Sequence, residues 1–290
     1  MKRKIGLLIL GMAAGFLAGQ VYPAYAADQG ETGVIAISEK PGEEYGTGLI
    51  PANGWYKEDG KVFFYENGYA VSGWKKIEGI WYFFGDDYIR KSGWINSGGI
   101  WYFCDEEGKM QTRWIQDKSG KRYYLSENGA MMTGWIKDGE NWYYLDQTGA
   151  MRTGWIQDAN RWYYLSEGGK MQTGWIFTGG AWYYLDASGA MRTGWIKDGE
   201  NWYYLDKTGT MRTGWIQDGN KWYYLSGNGM MQTNWIFTGN RWYYMQSDGS
   251  MYKGWLHDNG TWYYLRASGE MVVSTYVGGY YVGANGAWIK

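Results

Sequence analysis

The stretch TGWIKDGENWYYLDQTGAMR, Thr133 to Arg152, is one copy of a pattern that fills most of the chain. Trp135-Ile136-Lys137 is a short β-favouring run, Asp138-Gly139-Glu140-Asn141 is turn chemistry, and Trp142-Tyr143-Tyr144-Leu145 is a second β-favouring run. Each copy therefore reads as a β-hairpin. Asp146-Gln147-Thr148-Gly149 then turns the chain toward the next one, with glycine available where φ must be positive. The first tryptophan recurs as Trp55, Trp74, Trp94, Trp114, Trp135, Trp155, Trp175, Trp195, Trp215, Trp235 and Trp255, at intervals of 19 to 21 residues. A unit this short cannot bury a core alone and must lean on its neighbours. The expected fold is all-β, a β-solenoid of about eleven tandem 20-residue hairpins.

Working outward, residues 51–290 belong to this repeat region. A longer period lies above the short one: Trp135 to Gly194 is closely repeated from Trp195 to Gly254, with inner turns reading IKDGEN, then IQDAN or IQDGN, then IFTG. Either a three-repeat block was duplicated, or about three hairpins complete one superhelical turn. The ends deviate as solenoid caps should, with Val62 in the second-tryptophan slot of the first unit and a shortened stretch from Tyr276 to Lys290. In the fourth unit Arg122 replaces the second tryptophan and Lys118-Ser119 lengthens the turn. Most first tryptophans follow a glycine, but Arg113 and Asn234 stand in its place before Trp114 and Trp235. Since arginine tolerates the left-handed region poorly, that glycine reads as a close-packing preference rather than a conformational requirement.

Composition sharpens this. The 21 Trp and 29 Tyr exceed what a globular core needs, and 47 Gly against 3 Pro indicates many tight turns. A net charge of −1 leaves no electrostatic footprint for nucleic acid. Lys2, Arg3 and Lys4, the apolar run Ile5 to Leu17, and Ala24-Tyr25-Ala26 form the three parts of a secretory signal over residues 1–26, with the mature chain beginning at Ala27. That run is shorter than the ~20 residues a membrane-spanning helix needs. Residues 27–50 match no repeat and read as a short leader. Cys104, the single cysteine, excludes an internal disulfide and fills the slot of Leu125, Leu145 and Leu165, so it reads as a small buried hydrophobe.

Strand alternation places Trp142 and Tyr144 on one face and Tyr143 and Leu145 on the other. Leu145, Tyr143 and Ile136 are the expected core, and Trp135, Trp142 and Tyr144 the expected surface seam. Two tryptophans of one hairpin with an aromatic of the next would wall a cage for a quaternary ammonium, which ring quadrupoles attract by ~0.5 to 2 kcal/mol. Packing alone could be met by Leu, Ile or Val, yet nine units fill both slots with Trp. Methionine also recurs, Met110, Met131, Met151, Met171, Met191, Met211, Met231, Met251 and Met271, and can fill gaps between rings or floor such a cage.

TGW, WYYL and GAM in this order and spacing resemble the choline-binding or cell-wall-binding repeats of Gram-positive surface proteins, over roughly residues 51 to 290. The resemblance implies a β-solenoid of about three hairpins per turn. It also implies choline of wall teichoic or lipoteichoic acid held between neighbouring hairpins by two tryptophans of one repeat and an aromatic of the next. Carried over by position, Trp74 with Trp81 borrows Phe103, and Trp94 with Trp101 borrows Tyr124. Likewise Trp135 with Trp142 takes Tyr164, Trp155 with Trp162 takes Tyr184, and Trp175 with Trp182 takes Tyr204. Trp195 with Trp202 takes Tyr224, Trp215 with Trp222 takes Tyr244, and Trp235 with Trp242 takes Tyr264. The choice of Tyr164 over Tyr163 rests on strand parity. Trp114, with only Arg122 as partner, is expected to form no cage, and the pair Trp255 and Trp262 depends on the degenerate last unit.

The expected function is a secreted, non-catalytic cell-wall-binding protein that needs no cofactor. Its partners would be choline-decorated teichoic or lipoteichoic acid, or a wall glycan, with neither nucleic acid nor a membrane span in the mature chain. The alternative is a lectin-like repeat protein in which Trp and Tyr faces stack on glucan rings; a third is a spacer without small ligands. His257 fills a position held elsewhere by Lys137 or Gln157 and reads as solvated. Asp138, Asp158 and Asp198 read as turn residues bonded locally, and no metal, nucleophile or phosphate motif stands out.

Overall fold

In a computed structural model, residues 52–290 are described; the signal segment 1–26 and leader 27–50 lie outside them. The secondary structure described consists of strands, and nearly all of them pair as two-stranded antiparallel hairpins. Gly134–Asp138 pairs with Asn141–Leu145 in the register Trp135↔Tyr144, Ile136↔Tyr143 and Lys137↔Trp142. Gly174–Thr178 with Ala181–Leu185, and Gly194–Asp198 with Asn201–Leu205, repeat that register. Several of the two-residue turns take positive φ at both positions, as at Gly179 (59°) and Gly180 (79°) or Ala159 (45°) and Asn160 (62°), and others at the first position, as at Gly139 (60°) and Gly199 (57°). That is the turn geometry whose twist matches the strands it joins.

The glycine before each first tryptophan corrects the sequence reading. Gly134, Gly154, Gly174, Gly194 and Gly214 have φ of 72° to 76°, and nothing lies within 4 Å of where a Cβ would stand. Left-handed backbone, not close packing, selects glycine here. Asn234 adopts φ 64° and Arg113 adopts φ 61°, which costs an L-residue about 1 to 2 kcal/mol. The later glycine of most units carries both demands. Gly229 has φ 85°, and a Cβ there would stand 2.5 Å from the Met211 sulfur of the preceding unit.

Connectors tie the hairpins together through the backbone. The Met211 N–H donates to the Trp182 carbonyl (2.9 Å) of the preceding hairpin, while Met211 bridges Leu205 of its own. Met191 to Trp162 and Met231 to Trp202 repeat the bond at 2.8 Å, so the outer strand of each hairpin is not left as a bare edge. Tyr143, Ile136 and Leu145 form one buried cluster and Tyr203, Ile196 and Leu205 another, the core set expected from alternation. Leu125, Leu145, Leu185 and Leu205 are fully buried, and so is Cys104 in the same slot, where burial pushes its thiol up to about 12.

The repeats thus have the all-β, solenoid-type construction that the period predicts, each hairpin completed by its neighbours. Their contacts divide into two compact units, one reaching Gly154 and including Leu165–Met171, the other comprising Trp155–Tyr164 and Gln172–Lys290. Three-stranded sheets close the described ends: Gly54–Glu58, Lys61–Glu66 and Tyr69–Ala70 at the start, Thr275–Val277, Tyr280–Val282 and Trp288–Ile289 at the finish. The fourth hairpin, Arg113–Gln116 with Arg122–Leu125, has a longer turn organised by Asp117. Its Oδ1 accepts the Ser119 N–H (2.9 Å), the Ser119 hydroxyl (2.7 Å) and the Lys121 N–H (3.0 Å).

Candidate aromatic cages between adjacent hairpins

Register places Trp175 opposite Tyr184 and Trp182 opposite Phe177 on the outer face of one hairpin. The two indoles do not lie flat on each other: their centroids are 6.4 Å apart with planes at 82°, forming a corner. Tyr203 of the next hairpin stands 4.9 Å from Trp175 at 66°. Together with Met211, Gly227 and Asn228 these rings line an open cavity of about 350 Å³. Trp175 also packs on the Ile196, Tyr203 and Leu205 cluster, whereas Trp182 keeps 44% of its surface. The first tryptophan therefore serves core and cage at once, and the second serves mainly the cage.

The corner recurs. Trp94–Trp101, Trp155–Trp162, Trp215–Trp222 and Trp235–Trp242 all stand 6.4 Å apart at 78° to 86°. At Trp215 and Trp222 the cavity is about 340 Å³, lined further by Tyr243, Met251, Lys253, Ala267 and Ser268. Methionine both caps the glycine of the next unit and walls the cavity, so the two roles left open for it coincide.

The third ring differs from the one parity selected. Trp74 meets Tyr102, not Phe103, and Trp94 meets Tyr123, not Tyr124. Trp155, Trp175, Trp195, Trp215 and Trp235 meet Tyr183, Tyr203, Tyr223, Tyr243 and Tyr263 at 4.8 to 4.9 Å. The residues chosen from sequence pair with the first tryptophan of their own hairpin: Phe103 with Trp94, Tyr124 with Trp114, Tyr164 with Trp155, and Tyr184 with Trp175. Tyr204, Tyr224, Tyr244 and Tyr264 likewise pair with Trp195, Trp215, Trp235 and Trp255. The cause is head-to-tail stacking. The outer face of one hairpin meets the inner face of the next, so the borrowed ring must come from the inner parity. Trp135 and Trp142 lie in the first compact unit and Tyr164 in the second.

Two units lack the second tryptophan, and an arginine approaches the first one in both. The Arg122 Cζ stands 4.6 Å from the Trp114 ring, which also meets Tyr143 at 4.8 Å. At Trp55 the Arg90 Cζ stands 5.8 Å away, in the slot that Met110 fills in the next unit, as their bridges to Phe84 and Cys104 show. At the last junction Trp255, Trp262, Tyr280 and Trp288 line a cavity of about 370 Å³. Sequence reading left this site undecided because the terminal unit breaks the Gly-Trp rhythm; the surviving aromatics Tyr280 and Trp288 were the signal.

Carboxylates prove to have two jobs. In the connectors, burial pushes Asp186 up, but hydrogen bonds from the Ser188 hydroxyl (2.5 Å) and from the Ser188 and Ala190 N–H groups outweigh it and hold the carboxyl below its ordinary range. Asp248 is held down to about 2, chiefly by the Ser250 hydroxyl and N–H, with Lys221 adding to it. Asp138 and Asp198, read from sequence as locally bonded turn residues, act across junctions instead, as do Asp218 and Asp258. Trp114 Nε1–H donates to Asp138 (2.9 Å), Trp175 to Asp198 (3.0 Å), Trp195 to Asp218 (3.1 Å) and Trp235 to Asp258 (2.9 Å).

Among the described residues no helix is long and apolar enough to cross a membrane. Similarity to known proteins agrees with the cages. Residues 115–276 match the choline-binding repeat in five overlapping copies, and residues 72–87 and 92–110 match cell wall binding repeats. None of the curated protein sequences is similar to the chain. Among solved structures, CbpJ from Streptococcus pneumoniae TIGR4 is 37% identical over 81% of this chain and 99% of that one, with a TM-score of 0.63. Choline binding protein F of Streptococcus pneumoniae, solved in the presence of a tetrasaccharide-pentapeptide peptidoglycan analogue, is 34% identical over 83% of this chain and 100% of that one (TM-score 0.61). The modular autolysin LytC of the same organism, in complex with a synthetic peptidoglycan ligand, is 25% identical over 76% of this chain and 52% of its own (TM-score 0.55). With repeat matches over more than half its length and ring corners recurring along it, the chain belongs to the family of choline-binding repeat proteins of the cell wall.

Proposed function

We propose that this chain is a secreted, non-catalytic attachment protein whose cages hold choline head groups of wall teichoic or lipoteichoic acid. The observation that carries this is the open corner of two perpendicular indoles closed by the inner tyrosine of the next hairpin, as at Trp175, Trp182 and Tyr203. A trimethylammonium cannot donate an N–H hydrogen bond, so ring faces are its natural hosts, each contributing ~0.5 to 2 kcal/mol. Single cages of that strength bind weakly. Several on one chain, facing a polymer with many head groups, retain it firmly because each contact raises the effective concentration at the next. The basic, apolar and Ala-Tyr-Ala segments of residues 1–26 support export.

The test is a tryptophan-fluorescence and calorimetric titration of the purified chain with choline and, separately, with a glucan oligosaccharide. Saturable binding of choline is expected, with one site fewer in Trp182→Ala, together with retention on choline-bearing but not choline-free teichoic acid. Binding of the oligosaccharide alone would replace this reading. One observation favours a second ligand of the glycan class: Phe177 and Phe237, 60% and 57% exposed, lie 5.3 and 5.2 Å from Trp182 and Trp242 as tilted ring pairs. They offer a platform for a sugar face; choline binding protein F was solved in the presence of a peptidoglycan analogue and LytC in complex with a synthetic peptidoglycan ligand.

A further inference from the structure

The cages at Trp175 and Trp215 are nearly equal in size, about 350 and 340 Å³, and have the same ring walls. Their charges differ. Behind Trp175 the Asp198 carboxylate accepts the indole N–H at 3.0 Å, and Trp195 and Trp235 have Asp218 and Asp258 in the same role. At the equivalent position behind Trp155 and Trp215 stand Thr178 and Thr238. Their hydroxyls lie 3.2 Å from the phenol oxygens of Tyr164 and Tyr224. The Trp215 cavity is lined in addition by Lys253, where the preceding units from the fourth onward carry threonine, as at Thr213.

A carboxylate bonded to an indole N–H does two things for a cation on that ring. It polarises the ring toward greater negative charge on its face, and it adds a direct attraction over a few ångströms, partly screened by water. Threonine supplies neither, and a lysine opposes the cation outright. The fourth junction illustrates the pairing: the Trp114 ring that carries the Arg122 guanidinium at 4.6 Å is itself bonded to Asp138 at 2.9 Å.

We infer that the second compact unit contains two classes of cage for an alkylated ammonium ion, and that the residue behind the first tryptophan sets the class. The junctions of Trp175, Trp195 and Trp235, backed by Asp198, Asp218 and Asp258, bind the cation more tightly; those of Trp155 and Trp215, backed by Thr178 and Thr238, bind it less tightly. The aspartates are positioning residues and touch no ligand. This rests on the reading of the junctions as cation cages, and it assigns their order of filling: carboxylate-backed cages load first, and the threonine cages are recruited at higher ligand concentration.

The test is calorimetric titration of the full chain with choline chloride and with 3,3-dimethyl-1-butanol, its uncharged carbon isostere. Wild type is expected to show two choline classes separated by about two- to fivefold in affinity, the size of a partly screened charge interaction. Thr178→Asp with Thr238→Asp should move two sites into the tighter class. Asp198→Asn with Asp218→Asn and Asp258→Asn should weaken three by the same factor. Neither set should change the affinity for the uncharged alcohol. A single choline class in wild type, or equal shifts for choline and the alcohol, would overturn the ranking while leaving the cages standing. Absence of choline binding would overturn cages and ranking together. The threonine-to-aspartate variant keeps the test decisive if the asparagine variant folds poorly.

Discussion

The fourth hairpin and the seventh share a backbone register, a core, a first tryptophan and a tyrosine from the next hairpin, and differ in the residue that stands in the second-tryptophan slot. Gln116↔Arg122 pairs as Phe177↔Trp182 does, and Leu125 and Leu185 are both fully buried. Yet Gly174 is replaced by Arg113 at φ 61°, and Trp182 by Arg122, whose guanidinium rests on Trp114. Where the seventh hairpin leaves a corner open, the fourth fills it with a cation of its own, and the first does the same with Arg90 on Trp55. A repeat can thus lose its binding role without losing its place in the stack, because the second tryptophan, which serves mainly the cage, is a separate position from the first, which also packs the core.

The sharpest challenge to that comparison is to the core. Leu125→Ala and Leu185→Ala should each destabilise the chain by about 2 to 5 kcal/mol in thermal or denaturant unfolding, with similar values for both. A much smaller loss at Leu125 would mean that the fourth unit is not an equal structural member. Next in size are the backbone changes. Gly174→Ala should cost about 1 to 2 kcal/mol, because its φ of 73° is left-handed. Arg113→Gly should stabilise by about 0.5 to 1 kcal/mol, the relief of strain less the added freedom of glycine in the unfolded chain. Opposite signs in paired melting curves are the expected result, and equal signs would return the pre-tryptophan glycine to a packing role.

The smallest change in stability, and the most informative for function, belongs to Arg122→Trp. It places an indole in a slot whose register is intact, next to Trp114, Tyr143 and Met151. One additional choline site should appear in calorimetric stoichiometry, with little change in melting temperature. An unchanged site count would show that the lengthened turn around Asp117, rather than the arginine, closes this junction.

Much of the molecule was legible residue by residue. The hairpins followed from Trp135-Ile136-Lys137 and Trp142 to Leu145 around a glycine-bearing turn, and the core from the parity of Ile136, Tyr143 and Leu145. Cys104 was rightly read as a leucine surrogate. Five of the tryptophan pairs, such as Trp175 with Trp182, stand as ring neighbours, while the first tryptophan meets a different tyrosine of the next hairpin from the one parity selects. Parity within a strand says which residues share a face; it does not say which face the next hairpin offers. Assuming like faces meet led to Tyr204 where Tyr203 stands. The aspartates were misread for a related reason: Asp198 lies beside its own turn in sequence, and only the stacking brings Trp175 within 3.0 Å of it.

The repeat period and strand alternation, being local, were enough to establish what each hairpin is, what it buries and which tryptophans it presents. Head-to-tail stacking is a relation between residues about twenty to thirty positions apart. It decided which tyrosine closes each cage and which carboxylate stands behind it. Periodicity constrains a unit against itself, whereas a cage is made from the mismatch between one unit's outside and the next unit's inside.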